Sequence, residues 1–312
     1  MNGCMETDKP LISIVMAVYE PNLQWFKEQL ESLEAQTYPN LELLVIDDCS
    51  PTVPFEVVKQ YVSDCIRSFP YQIDRNEKNL GSNLTFEKLT RLATGKYIAY
   101  CDQDDIWLPE KIDQLFNRVC ETKAVMSYCD MSVIDDEGRL LADSLQVIRP
   151  RLQYWEGKNL LERYFFRNCT AGCSMLMNAE TAKKAVPFPL HTVADHWLAI
   201  WAAQEGNIAF VNQKMVQYRQ HHHNQTGVLT GVRDKKSYYE LRIWPLRERL
   251  DFLASRVSIP QTLCFFVEAR INGDLFGIWK WRQYSPKEAL LELAMKFMPE
   301  SLFRLCIARL RK

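Results

Sequence analysis

Three carboxylates follow an apolar run that is typical of a buried strand. They are Asp102, Asp104 and Asp105, and the run is Tyr97–Cys101. Carboxylates this close repel one another and raise one another's pKa. Mg²⁺ or Mn²⁺ removes that cost, because such an ion binds a few carboxylates and completes its shell with water and phosphate oxygens. The alternative, capping of the helix that Pro109 opens, needs one carboxylate, so the cluster predicts a site for a metal-bound diphosphate.

A second acidic turn follows another apolar run. Asp47 and Asp48 come after Leu41–Ile46. A carboxylate here can accept hydrogen bonds from a base N–H or from ribose hydroxyls, and the alternative is an Asx-type turn. Ligands of parallel α/β sheets bind beyond the carboxyl ends of the strands. The two acidic turns are therefore expected on one rim of the sheet.

The turn before the third predicted helix contains Asn79 and Gly81. A glycine here lets the backbone approach a ligand at a helix N-terminus, where anions are favoured. Asparagine-rich turns also precede helices without any ligand, so both interpretations stay open.

Asp195 lies at the start of a predicted helix over Ala194–Gln204. Such a residue is often an N-cap. At a cleft, it is also suited to remove a proton from an acceptor hydroxyl, and a positioned base contributes roughly 10²–10⁴-fold.

Three consecutive histidines lie in the run Tyr218–Gly227. Successive residues of a strand face opposite sides, so the three cannot all bind one ion. We expect one of them, His221, to meet a diphosphate or its metal together with Arg219. The alternative is an exposed polar loop.

Ten cysteines are present without any Cys-x-x-Cys pair, which is typical of a reduced protein. Cys169 and Cys173 are four residues apart. They suit either a metal or, more simply, two small core positions beside a strand.

Strand and helix patterns alternate from Leu11 to Cys129, which predicts a parallel sheet with right-handed crossovers. Shorter strands are expected at 174–177 and 208–211. After about residue 235 the pattern becomes helical and aromatic.

These landmarks, taken in order, resemble the family 2 glycosyltransferases, an inverting group with the GT-A fold. That fold is α/β and Rossmann-like, with a mostly parallel sheet flanked by helices; here a helical C-terminal extension is expected. The likeness extends from Leu11 to about Gly227. The segments that carry it are Ser13–Tyr19, Gln36–Glu42, Asp47–Ser50, Asn79–Gly81, Asp102–Trp107 and Asp195.

The resemblance implies a role for each matching position. Asp195 is the expected catalytic base, and the expected metal ligands for Mn²⁺ or Mg²⁺ are Asp102, Asp104 and Asp105. The expected nucleotide-sugar contacts are Ala17, Tyr19, Asp47, Asp48, Asn79, Gly81, Asp102, Gln103, Arg219 and His221. Ala194 stands where the family often has glutamate before the base.

The implied reaction transfers a sugar from a nucleotide-diphosphate donor to a hydroxyl of a glycan or lipid-linked acceptor, in cell-surface polysaccharide biosynthesis. The runs Gln103–Trp107 and Tyr218–Gly227 resemble a rhamnosyltransferase-like branch. The absence of a Gln-x-x-Arg-Trp motif favours addition of single sugars. Two alternatives are a nucleotidyltransferase, for which a glycine-rich basic N-terminal loop is missing, and a non-catalytic sugar-binding protein.

We predict a catalytic domain over residues 1–230 and a helical region over 231–312. Residues 279–312 contain eight basic and three acidic side chains among apolar ones. A basic amphipathic helix suits an anionic membrane surface; packing on the catalytic domain or on another subunit is the alternative. A net charge of −1 argues against nucleic acid. With neither a signal peptide nor a spanning segment evident, we expect a cytoplasmic protein, at or near the inner face of the plasma membrane, of undetermined oligomeric state.

Overall fold

The computed structural model describes residues 9–221 and 231–310, which form two compact units. The first unit contains residues 9–188 and 193–221, and the second contains 189–192 and 231–310. The domain boundary predicted after residue 230 borders a stretch outside the described residues, and it stays a prediction.

The first unit is a sheet with helices on its faces. Its strands are β1 (Ile12–Val18), β2 (Leu41–Asp47), β3 (Tyr71–Arg75), β4 (Tyr97–Cys101), β5 (Ile106–Trp107), β6 (Met126–Ile134), β7 (Leu140–Ala142), β8 (Met175–Asn178) and β9 (Ile208–Arg219). Its helices are α1 (Leu23–Glu34), α2 (Phe55–Cys65), α3 (Ser82–Leu92), α4 (Lys111–Thr122), α5 (Leu145–Ile148), α6 (Leu161–Phe166), α7 (Ala179–Lys184) and α8 (Ala194–Glu205), with a 3₁₀ turn at Gly172–Ser174.

The sheet is parallel in its first half and mixed in its second. The strand order is β3-β2-β1-β4-β8-β6-β9-β5, with β7 beside β6. Strands β1 to β4 run parallel, whereas β8 is antiparallel to both of its neighbours. The predicted GT-A architecture is confirmed, and the reversal at β8 adds a feature that the apolar runs did not reveal.

Local sequence explains where these elements begin. Every residue of β2 is buried, as expected for a strand covered on both faces. Asn22 caps α1 by accepting hydrogen bonds from the N–H groups of Gln24 and Trp25. Helix α4 begins at Lys111 and not at Pro109, because Ile106–Trp107 first pairs with β9 as a short strand.

The second unit is helical. Its elements are α9 (Lys235–Tyr238), a π-helical turn (Tyr239–Ile243), α10 (Trp244–Ala254), α11 (Gln261–Asn272), α12 (Leu275–Lys280), a 3₁₀ turn (Arg282–Tyr284), α13 (Pro286–Phe297) and α14 (Glu300–Leu310). Tyr238, Met295, Phe303 and Ile307 form its core, so one face of α14 packs within this unit. Throughout residues 9–221 and 231–310, every helix is too short or too polar to cross a membrane.

Candidate functional site

The two predicted acidic turns lie at one edge of the sheet. Val18 pairs with Asp47 across β1 and β2, and Met16 pairs with Cys101 across β1 and β4. Because these strands are parallel neighbours, their carboxyl ends are adjacent. The turn after β2 and the turn after β4 therefore emerge side by side.

Two of the three carboxylates after β4, Asp102 and Asp105, have raised pKa values. Burial, followed by the charges of Asp104 and Asp195, raises the pKa of Asp102 to about 7. Burial also raises the pKa of Asp105 well above its usual range, with the charges of Asp104 and Asp102 adding to the effect. Nearby positive charge would relieve this arrangement.

Asp104 pairs with the first of the three histidines. Its Oδ2 lies 2.7 Å from Nε2 of His221, and the ring centroid of His221 lies 4.9 Å from that of Trp25. The chain leaving β9 thus places an imidazole at the acidic edge, and its contact with a diphosphate or metal stays a prediction. His222 and His223 lie outside the described residues, as do Asn224 and Gly227.

Asp195 lies in the first turn of α8 and is not its N-cap. Val193 occupies the cap position, and the Asp195 carboxylate accepts from the N–H of His196 at 2.5 Å. Burial raises the pKa of Asp195 to about 6, although backbone N–H groups of His196 and Gly172 act in the opposite direction. A carboxylate that is ionised near neutrality, yet still basic, is suited to accept a proton. The effect of Asp195 on the pKa of Asp102 places both at the same edge.

Asp47 and Asp48 both make hydrogen bonds within the protein, and their expected contact with a nucleotide stays a prediction. Asp47 is fully buried and ion-paired with Arg75 at 3.1 Å, and it also accepts from the Ser50 hydroxyl. Asp48 accepts from the side chain of Asn76 and from the N–H groups of Leu80 and Gly81, each at 2.8 Å. These bonds order two loops at the edge of the sheet.

Arg219 is also hydrogen-bonded within the protein, and its expected contact with a diphosphate stays a prediction. Its guanidinium is buried and donates to Glu28 and to the carbonyl oxygens of Asp104, Asp135 and Asp136. The charge is thus used to hold the acidic turn against α1 and the turn after β6.

Of the remaining predicted nucleotide-sugar contacts, Gln103 bonds to the backbone of a neighbouring strand end, whereas Tyr19 and Ala17 have solvent-exposed surface. The Gln103 amide exchanges two hydrogen bonds with the backbone of Tyr19, at 2.8 and 3.0 Å, which ties the ends of β1 and β4 together. The side chain of Tyr19 is 45% exposed and Ala17 is half-buried. Tyr19 and Ala17 therefore have exposed surface, next to the Gln103–Tyr19 hydrogen bonds, that a ligand can contact.

Gly81 is the N-cap residue of α3. Its φ is 81°, a conformation that favours glycine. A Cβ added there would meet nothing within 4 Å. The backbone angle therefore favours glycine at this position, and a lack of space for a side chain does not. Asn79 is exposed beside it and accepts from the Gly81 N–H at 3.0 Å.

Two buried groups at this edge were not recognised as site residues from the sequence. Cys173 lies with Asp102 and Asp105, and the only sequence signal was its spacing from Cys169. Lys111 is fully buried, and its Nζ lies over the Trp107 ring with no hydrogen-bond partner among the described residues. Burial lowers the pKa of Lys111 to about 8.

A family model for glycosyl transferase family 2 matches residues 13–181, more than half of the chain. The chain belongs to glycosyl transferase family 2. The match covers β1 to β8 and hence the strands that carry the acidic edge. Membership of this family supports sugar-transfer activity.

Two relatives of the chain are bacterial glycosyltransferases with named functions. The putative teichuronic acid biosynthesis glycosyltransferase TuaG of Bacillus subtilis is 24% identical over 68% of this chain and 79% of its own length. The UDP-Glc:α-D-GlcNAc-diphosphoundecaprenol β-1,3-glucosyltransferase WfgD of Escherichia coli is 24% identical over 66% of this chain and 74% of its own.

A solved structure with a similar fold is the mannosyltransferase PcManGT of Pyrobaculum calidifontis, in complex with GDP-Man and Mn²⁺. It superposes with a TM-score of 0.57 over 97% of this chain and 86% of its own, at 15% identity. This likeness concerns the fold alone.

Proposed function

We propose that the protein is an inverting, metal-dependent glycosyltransferase. It transfers one sugar from a nucleotide-diphosphate donor to a hydroxyl of a glycan or lipid-linked acceptor. The observation that carries the proposal is Asp195, a half-buried carboxylate with a pKa of about 6, at the same edge as the three carboxylates after β4. The activities named for TuaG and WfgD support cell-surface polysaccharide synthesis as the setting.

The donor types at the edge suit a divalent cation. Asp104 Oδ2 lies 2.7 Å from Nε2 of His221, and the charge of Asp104 acts on Asp102, so carboxylate and imidazole donors for Mn²⁺ or Mg²⁺ are neighbours here. Asp105 is the third carboxylate of the cluster. Its Oδ2 is buried without a hydrogen bond among the described residues, so a nearby cation would stabilise the cluster. Such an ion, when bound, neutralises charge on the diphosphate and the leaving group, an effect worth several kcal/mol.

Asp195 performs the proton transfer in this proposal. At pH 7 its carboxylate is mostly ionised, since its pKa is about 6. It accepts the proton of the acceptor hydroxyl while that oxygen attacks the anomeric carbon opposite the leaving diphosphate. Anomeric configuration is thereby inverted, and the positioning of the two reactants contributes much of the remaining acceleration.

Two sets of residues hold the donor in this proposal. Tyr19 and Ala17 contact the nucleotide at the open end of β1, and Asn79 with the N-terminus of α3 lies toward the phosphates. Four other residues support the donor site indirectly, because their hydrogen bonds order the loops that carry Tyr19 and Asn79. They are Asp47, Asp48, Gln103 and Arg219. Their substitution is expected to weaken donor binding through loop disorder.

The donor sugar is proposed to be rhamnose, on the likeness of Gln103–Trp107 and Tyr218–Gly227 to the rhamnosyltransferase-like branch. A glucosyl donor is the competing choice, because WfgD is named as a UDP-Glc enzyme. A screen with dTDP-rhamnose beside UDP-glucose, UDP-GlcNAc and GDP-mannose separates these choices.

The second unit is proposed to dock on an anionic membrane that holds a lipid-linked acceptor. Leu290, Phe297, Leu302 and Leu305 are 46–80% exposed on α13 and α14, among basic side chains. Exposed apolar groups beside Lys and Arg favour an interfacial position. Vesicle flotation of the full chain and of the double variant Phe297→Ser/Leu305→Ser tests this, since equal flotation removes the membrane role.

The central experiment measures thermal stabilisation by nucleotide sugars with Mn²⁺ or Mg²⁺. We expect one donor to raise Tm only when metal is present. Asp104→Asn should abolish this shift, while the matched control Asp64→Asn, at an exposed position on α2, should retain it. Asp195→Asn should keep the shift and lose turnover. If none of the nucleotide sugars changes Tm with either metal, the proposed function is wrong.

A further inference from the structure

Cys173 is brought to the acidic edge by the reversal of strand direction at β8. Strands β4 and β8 are antiparallel, with Ala99 paired to Leu176. Cys173 lies in the 3₁₀ turn Gly172–Ser174 that leads directly into β8, and this turn brings its sulfur close to the carboxylate of Asp102. A cysteine 71 positions away along the chain thus meets the first carboxylate of the cluster.

Three possible metal ligands converge there. One oxygen each of Asp102 and Asp105 and the sulfur of Cys173 all lie within 4.8 Å of one another. In a tetrahedral zinc site with Zn–S of about 2.3 Å and Zn–O of about 2.1 Å, ligand atoms lie about 3.4–3.6 Å apart. The three groups therefore need a small inward movement to share one ion, and no rearrangement of the strands.

Asp105 provides an independent indication of a missing ligand. It is fully buried; Oδ1 accepts from the Arg219 N–H at 2.9 Å, while Oδ2 accepts no hydrogen bond from the described residues. The thiol of Cys173 is 1% exposed; it donates to the sulfur of Met131 at 3.7 Å, a weak acceptor, and as a donor toward Asp102 and Asp105 it lowers the pKa of both carboxyls. A cation shared by the three groups replaces this weak S–H donor with a full positive charge.

The charges would also balance. Two carboxylates and a thiolate carry three negative charges, and a divalent ion leaves one. The buried ammonium of Lys111 interacts electrostatically with both Asp105 and Cys173, and it supplies the last positive charge. Thiolate is a soft ligand, so the set favours Zn²⁺ and Cd²⁺ over Mg²⁺.

We propose that Asp102, Asp105 and Cys173 form a second cation site, selective for thiophilic divalent ions such as Zn²⁺. Because Asp102 is shared with the proposed Mn²⁺ or Mg²⁺ site, occupation by Zn²⁺ inhibits transfer. The inhibitory part rests on the proposed function, whereas the binding part does not.

Binding is tested with Cd²⁺ on the full-length, metal-free protein, by following the ultraviolet charge-transfer band of thiolate bound to cadmium. We expect a saturable band in the wild type that Cys173→Ser loses. Cys129→Ser, the matched control, should retain it, since Cys129 is equally buried and its thiol donates to the Ser174 carbonyl. An equal band in wild type and Cys173→Ser overturns the proposal.

A measurement on the wild type keeps the proposal testable if Cys173→Ser fails to fold. X-ray absorption at the zinc edge, with one equivalent of Zn²⁺, should show a sulfur ligand at about 2.3 Å. A shell of nitrogen and oxygen alone, as histidines would give, refutes the site.

Inhibition is tested separately, by adding Zn²⁺ to enzyme that is turning over with Mg²⁺. The inhibitory zinc concentration, measured relative to the zinc-free turnover of each protein, should rise about ten-fold or more in Cys173→Ser, because a lost ligand weakens the site. Equal inhibition of both proteins removes the inhibitory role even if cadmium binds. Absence of any turnover would instead count against the proposed function and leave the spectroscopic result standing.

Discussion

Replacing Asp102 with asparagine should stabilise the metal-free protein at pH 8. The carboxyl of Asp102 has a pKa of about 7 in the folded chain and an ordinary value of 3.8, because it is buried beside Asp104 and Asp195. The folded state therefore holds a proton that the unfolded state has lost over the interval between these values. Stability from this group falls as pH rises from about 4 to about 7, and stays low above that.

The size of the effect follows from the gap between the two pKa values. Each pKa unit corresponds to about 1.4 kcal/mol, so ionised Asp102 costs about 4 kcal/mol at pH 8 as an upper limit. At pH 5 the cost is about 1 to 2 kcal/mol, since the folded chain keeps the proton. Asparagine has the same shape without the charge, so the gain from Asp102→Asn should be large at pH 8 and small at pH 5.

The assay is urea unfolding of chelator-treated wild type and Asp102→Asn at both pH values. Asp64→Asn, at an exposed carboxylate, is the control and should leave the free energy of unfolding unchanged. Added Mn²⁺ should reverse the order, because it stabilises the wild type by binding and the variant much less. If metal-free Asp102→Asn is no more stable than wild type at pH 8, the argument for an uncompensated acidic cluster is refuted.

Three further predictions concern the candidate base Asp195, the buried Arg219 and the glycine that precedes α3, Gly81. The value of kcat/KM should fall as pH drops through about 6, because Asp195 must be ionised, and Asp195→Asn should lower kcat by roughly 10²–10⁴-fold in a radiolabelled transfer assay; an unchanged acid limb in that variant contradicts the role. Arg219→Ala should cost about 3–5 kcal/mol in urea unfolding, because it leaves Glu28 and three carbonyl oxygens without their donor; a loss of donor affinity without loss of stability would restore a diphosphate contact. Gly81→Ala should cost about 1–2 kcal/mol through its positive φ alone, as measured by Tm; no change in Tm would show that the turn adopts another conformation.

Much of the first unit is predictable because its chemistry is local. Strands covered on both faces read as continuous apolar runs, and β1, β2 and β4 were recognised in this way. Alternation with helices implies parallel neighbours, and parallel neighbours end at one edge. The meeting of the turns after β2 and β4 therefore follows from the order of the residues.

The direction of each side chain at that edge does not follow. Asp48 faces inward because Asn76, 28 residues away, donates to it, and Arg219 is buried because Glu28, 191 residues away, accepts from it. Such partners depend on packing between elements, which leaves no periodicity in the sequence. The neighbouring residues in the sequence therefore do not distinguish a carboxylate that orders a loop from one that binds a ligand.

The sequence by itself determined that acidic turns follow buried strands, because strand burial and turn chemistry depend on neighbouring residues. The resemblance of its motifs, taken in order, to the family 2 glycosyltransferases implied the fold and the candidate base at Asp195. Only the tertiary structure decided which acids remain open and which residues join them. The turn that leads into the antiparallel strand β8 brought Cys173 close to Asp102, and the pairing of β9 with β5 and β6 carried His221 to Asp104. Both contacts join residues far apart in the chain, and the physical reason is that the packing of whole elements decides which turns meet.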